Sequence, residues 1–204
     1  MKRILIVLLI IGFTKLANAQ QNTFASNINR LNTAKTTEDF QKSFDGFSVL
    51  VKNNREAYYF SALSLFKKNQ VLILQNKLSP SEDDINLAGK NVNASFVKNN
   101  NNIEPTLLLG FLHLQRMLAN PEKYGNQSQK VIQDCISKVE KLDANNPRLA
   151  LLKAEYAYLA PTQFGGNKEN GIALLKESLK KFDQTTTNSN INWGKTDAEI
   201  LLNK

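Results

Sequence analysis

Apolar residues recur along most of this chain at three- and four-residue intervals, the spacing that puts them on one face of an α-helix. Val131, Ile132, Cys135, Ile136, Val139 and Leu142 form one such stripe, and Ile172, Leu174, Leu175, Leu179 and Phe182 another. The segment Leu107 to Leu118 is apolar on nearly every side, which marks a helix enclosed by others. Val71-Leu72-Ile73-Leu74 has the composition of a strand, but its Leu-, Lys- and Gln-rich flanks favour a continuing helix. The pattern predicts helices over 23–34, 37–51, 55–77, 80–98, 104–119, 125–143, 147–160, 167–182 and 195–203.

Punctuation supports these limits. Ser79-Pro80-Ser81-Glu82 offers a capping serine before proline, with a glutamate three residues on. Thr37 can cap the segment that opens Glu38-Asp39. Pro105, Pro121 and Pro147 stand where a stripe starts or has just ended. Three helices follow an Asn-Asn pair, at Arg55, Ile103 and Pro147, so the starts lie 48 and 44 residues apart. Aligned on those starts, Ala62, Gly110 and Ala154 coincide. A small residue at the same point of successive helices lets neighbouring backbones approach.

The junction Leu142-Asp143-Ala144-Asn145-Asn146-Pro147 resembles the L-D-P-N-N junction of tetratricopeptide repeats. Ala62, Gly110 and Ala154 match that family's small residue in the first helix of a pair, and Gly171, Leu175 and Ser178 its small-large-small pattern in the second. Pro161-Thr162-Gln163-Phe164-Gly165-Gly166-Asn167, with Asn192-Trp193-Gly194 and Asp197-Ala198, is similar to a variant found in exported repeat proteins of Bacteroidota. The spacing here exceeds the family's repeat of about 34 residues. The fold the resemblance implies is all-α: stacked antiparallel helix pairs, a tetratricopeptide-like α-solenoid. Such arrays present a concave binding surface. Carrying over the family's groove-facing stripe selects Glu56, Tyr59, Leu63 and Phe66 in one helix, Glu104, Leu107, Phe111 and Leu114 in the next, and Arg148, Leu151, Glu155 and Tyr158 in the third. The competing expectation is that this stripe meets another helix, such as the one near 23–34. Trp193 is expected to plug the end of the stack.

The N-terminus changes the address. Lys2 and Arg3 precede the apolar run Ile4 to Ile11, and Ala17-Asn18-Ala19 supplies a signal-peptidase pattern. The run is about half the ~20 apolar residues that span a bilayer. The expectation is a leader over 1–19, cleaved before Gln20, and a single helical domain over 20–204 with no membrane span, periplasmic or secreted. Losing Lys2, Arg3 and Lys15 leaves 23 basic and 18 acidic residues, a net charge of +5. The lysines are scattered among acids and form no stripe that would follow a phosphate backbone, so no nucleic-acid partner is expected.

Catalytic chemistry finds few candidates. His113 and Cys135 are the only residues of their types, which excludes an internal disulfide and any site needing two histidines. Both sit in apolar stripes and read as packed side chains. Glu82-Asp83-Asp84 lacks the alternation of a calcium loop and suits the first turn of a helix. Gly165-Gly166 lacks the lysine and hydroxyl of a phosphate loop. A carboxylate pair such as Glu104 with Glu155 is the one arrangement that could act on sugars. The expected function is a protein- or peptide-binding scaffold or adaptor in the cell envelope, with a self-associating envelope-assembly subunit as the alternative. Enzyme activity, a cofactor and a bound metal are not expected.

Overall fold

Asparagine side chains start several of the helices, which accounts for two of the three Asn pairs, those ending at Asn54 and Asn146. Asn146 Oδ1 accepts from the backbone of Arg148 at 2.9 Å and Leu149 at 3.3 Å, with Pro147 at the first helical position. Asn120 does the same for Lys123, ahead of Pro121, and Asn167 for Asn170. Asn54 accepts from Glu56. Each replaces one of the hydrogen bonds that the first turn of a helix cannot make internally. Asn102 differs: it lies in the left-handed region at φ 49°, and its side chain clasps Val97 instead.

The computed structural model describes residues 23–75, 79–98, 100–185 and 192–204. The helices are α1 (23–33), α2 (Thr37–Ser48), α3 (Glu56–Leu74), α4 (Glu82–Ser95), α5 (Ile103–Ala119), α6 (Pro121–Leu142), α7 (Pro147–Leu159), α8 (Lys168–Gln184) and α9 (Lys195–Leu202). No strand occurs among the described residues. The leader expected over 1–19 lies outside them. Several boundaries differ from the sequence pattern: α2, α3 and α4 end at Ser48, Leu74 and Ser95 rather than 51, 77 and 98, and three starts differ as well. Thr36, not Thr37, caps α2 in a reciprocal box with Asp39. Ser81, not Ser79, caps α4. Helix α6 begins at Pro121 rather than 125, because Asn120 and Pro121 together make a complete start signal.

Consecutive helices pack as antiparallel pairs, and α3 also packs on α5, and α5 on α7. These three form an inner row, and it is they that carry apolar residues around most of their circumference. Phe60, Leu65 and Phe66 of α3, Leu107, Leu108, Phe111, Leu114 and Met117 of α5, and Leu149 of α7 are fully enclosed. Helices α4, α6 and α8 bury one stripe each, such as Ile132, Cys135, Ile136 and Val139 of α6. Burial pushes the Cys135 thiol up to about 11, with Asp134 adding to the shift. His113 is half-buried, and burial with Arg116 beside it lowers its imidazole to about 4. Glu82, Asp83 and Asp84 occupy the first turn of α4, where the helix dipole favours them.

Close approach occurs where the small residues coincide. Ala62 and Ala154 are completely buried. A Cβ on Gly110 would stand 2.6 Å from Leu152 Cδ2 of α7 and 3.3 Å from Cys135 Cβ of α6. Gly110→Leu should therefore destabilise the fold by roughly 1–3 kcal/mol or more through overpacking. Better helix propensity returns only about 1 kcal/mol. A rise in the thermal midpoint of that variant would show the contact to be loose. Gly171 has less room to adjust, since its Cβ would lie 2.7 Å from the Tyr158 backbone rather than from a side-chain tip.

Pro161 to Asn167 turns the chain from α7 into α8. Gly165 takes φ 91°, and Gly166 leaves room for the Ala160 carbonyl, 1.8 Å from where a Cβ would sit. The Tyr156 hydroxyl donates to the Phe164 carbonyl, while the Phe164 ring lies on Gly125 of α6.

Candidate functional site

The stripe expected to form an open groove lies along the inner row and is largely covered. Tyr59, Leu63, Phe66, Leu107, Phe111, Leu114, Arg148, Leu151 and Glu155 are buried, Glu104 and Tyr158 are half-buried, and Glu56 is exposed. What covers much of this face is the chain's own C-terminal strap, residues 192–202. Trp193 inserts between α3 and α5 with its ring centroid 5.5 Å from Phe66 and 5.3 Å from Phe111. The Arg148 guanidinium lies over the indole at 5.2 Å. Trp193 therefore fills the inner face, and the expectation that it plugs the end of the stack is corrected.

Polar groups beneath the strap form two clusters. In the first, the indole N–H donates to Tyr59 Oη at 3.1 Å, and Tyr59 donates to Glu104 at 3.2 Å. Glu104 also pairs with Arg148 at 3.1 Å. Burial raises the Tyr59 phenol well above its ordinary value, and the Glu104 charge adds to the effect. In the second, Lys67 of α3 meets both Asp197 oxygens of α9, at 2.6 and 2.7 Å. Glu155 of α7 lies 1% exposed nearby and accepts from the Gln70 amide at 2.9 and 3.0 Å. Gln70 is reached in turn by Gln115 of α5. Burial, and then the negative charge of Asp197, push the Glu155 carboxyl up to about 8. Glu104 and Glu155, the carboxylates weighed as a pair from sequence, thus belong to separate clusters with different partners.

Beside the strap a cleft of about 850 Å³ opens between the end of α1, the turn into α2, one face of α3, and residues 192–200. Volumes of about 300–1,000 Å³ are typical of small-molecule sites. Leu31 and Phe40 form one apolar wall, Phe60, Leu63 and Val71 the floor, and Trp193 and Ile200 the opposite wall. Lys35 is exposed at the rim; Lys195, also in the lining, is paired with Asp183, and Lys67 with Asp197. Among the described residues the lining contains no histidine, cysteine, methionine or tyrosine. Among the described residues no group of acids, histidines and cysteines is arranged to hold a metal ion, and no helix is long and apolar enough to cross a membrane. Of the groove stripe expected from sequence only Leu63 borders this cleft, and Trp193, Gly194 and Asp197 of the C-terminal motifs join it. That segments 31–40 and 192–200 meet had no signal in periodicity, because only their folding onto α3 brings them together.

No family model and no curated protein matches the chain. Among solved structures, the fold is similar to that of the HusA haemophore from Porphyromonas gingivalis, with a TM-score of 0.70 over 91% of this chain and 90% of that one. The two sequences are 19% identical, and the likeness is one of fold.

Proposed function

We propose that this chain is an exported binding protein that carries a flat, largely apolar ligand with carboxylate groups, of the porphyrin class, in the cleft beside the C-terminal strap. The observation that carries the reading is the cleft itself: a space of about 850 Å³ with apolar walls and lysines in its lining. Burial of a ring system against Phe40, Phe60 and Trp193 supplies affinity, and ammonium groups suit carboxylates at the edge. The likeness of the whole fold to a haemophore supports the ligand class. The leader pattern at Ala17-Asn18-Ala19 supports export, and the tetratricopeptide-like stacking supports a binding rather than a catalytic role. With Trp193 lying on the inner stripe, a small ligand in the cleft fits better than a peptide in the groove.

Because the lining offers no imidazole, thiol, thioether or phenol, recognition rests on the ring and its carboxylates. The test is titration of the mature protein with haem and, separately, with protoporphyrin lacking iron, read by the ligand's absorbance. Both should bind saturably with similar affinity. Ala34→Trp, which fills the cleft from its wall, should weaken both by at least about tenfold. Failure of both porphyrins to bind would overturn the reading. Capture of a defined peptide or protein partner by the same material would then restore the scaffold expected from sequence.

A further inference from the structure

The strap is both the far wall of the cleft and the cover of the inner face, and the largely buried Lys67–Asp197 ion pair ties its helix, α9, to α3. We propose that residues 192–202 form a pH-sensitive gate on the cleft, latched where Asp197 meets Lys67 beside the buried Glu155.

The geometry puts two carboxyls and one ammonium in a nearly solvent-free space. The side chains of Asp197 and Lys67 are 4% and 16% exposed, and Glu155 is 1% exposed. The charged groups acting on Glu155 are Asp197 from α9 and Lys67 from α3. Gln70 of α3 and Gln115 of α5 are neutral, and neither α6 nor α8 contributes a charge to it. With its proton, Glu155 leaves the Lys67–Asp197 pair balanced. Once the proton is lost, two carboxylates share one cation, and like charges in a poorly solvated site repel strongly. Glu155 and Lys67 are fixed in long central helices, whereas Asp197 rides on the eight-residue α9, which packs mainly on α8. The member free to leave is Asp197, and α9 leaves with it. The strap's other polar ties include Trp193 to Tyr59, Arg148 over the Trp193 ring, and the exposed pair Lys195–Asp183. Opening would remove the cleft wall formed by Trp193, Asp197 and Ile200.

The gate deepens the reading of the cleft as the ligand site, but it is tested without ligand. Trp193 is the only tryptophan in the chain, so its emission reports on the strap alone. Raising the pH should shift that emission to the red with a midpoint near 8, and α9 amides should exchange at least about tenfold faster once intrinsic exchange is corrected, while α5 amides stay protected. Glu155→Gln should abolish the transition. Asp197→Asn, which removes the repulsion that drives opening and leaves Lys67 to Glu155, should likewise leave the emission without the pH-dependent step. Emission that is flat through this range, or the same transition in Glu155→Gln, would overturn the gate. A gate that works in a protein that binds no porphyrin would leave the latch standing and remove only the ligand assignment.

Discussion

Trp193→Ala should lower stability by roughly 3–5 kcal/mol, the usual cost of removing a large aromatic side chain from a core. The indole is 7% exposed and touches Phe66 and Phe111 edge-on, so its loss opens a space that flanking side chains cannot close. It also strips a hydrogen-bond donor from Tyr59 and an aromatic face from Arg148. For a chain of this size the thermal midpoint should fall by roughly 6–20 °C. Trp193→Phe keeps the ring contacts and loses the hydrogen bond, a smaller penalty of about 1 kcal/mol. Urea unfolding followed by circular dichroism separates two ways of absorbing the loss. A collapsed but intact strap leaves the denaturant slope unchanged. A strap that lifts away exposes Phe66 and Phe111 in the native state and lowers the slope, because less surface remains to be exposed. A stability change within about 0.5 kcal/mol would place Trp193 outside the core.

The architecture was readable because its causes are local. Gly110 marks a point of close helix approach, with Ala62 and Ala154 buried at the matching positions, and Asn54 and Asn146 of the Asn-Asn pairs each satisfy a first turn. The strap was not readable in the same way. Its helix is short, and nothing in Asn192-Trp193-Gly194 says which surface the indole will seek. Trp193 meets Tyr59 from 134 residues away. The stripe chosen from Tyr59 to Tyr158 does fall on α3, α5 and α7, but periodicity marks a face as apolar without saying what covers it. The same limit hid the cleft, whose walls come from the two ends of the chain. Lys67 has no signal in sequence and Asp197 stands out only as part of a motif, and their meeting beside Glu155 is what gives them a role.

Glu155→Gln should stabilise the protein at neutral pH, and the gain should grow as pH rises. Glu155 ionises near its ordinary 4.5 in the unfolded chain and at about 8 in the folded one. Between those values the native state holds a proton that the unfolded state has released, so stability falls as pH increases. The carboxyl is harmless below about pH 4.5. Its penalty then accumulates through neutrality and levels off above pH 8, reaching on the order of 3 kcal/mol at pH 7. Glutamine resembles the protonated acid in size and carries no titrating group, so the variant lacks this slope. His113 works in the opposite sense: its lowered value means that the unfolded state takes up the proton first on acidification, but it does so equally in both proteins and cancels from the difference. Any rearrangement of the Gln70 hydrogen bonds appears as a constant offset, visible at the acidic end. The diagnostic quantity is therefore the gap between the two urea-derived stabilities measured from about pH 5 to about pH 8. It should widen steadily in favour of Glu155→Gln, and parallel curves would mean that Glu155 is ionised and fully compensated by Lys67 in the folded protein.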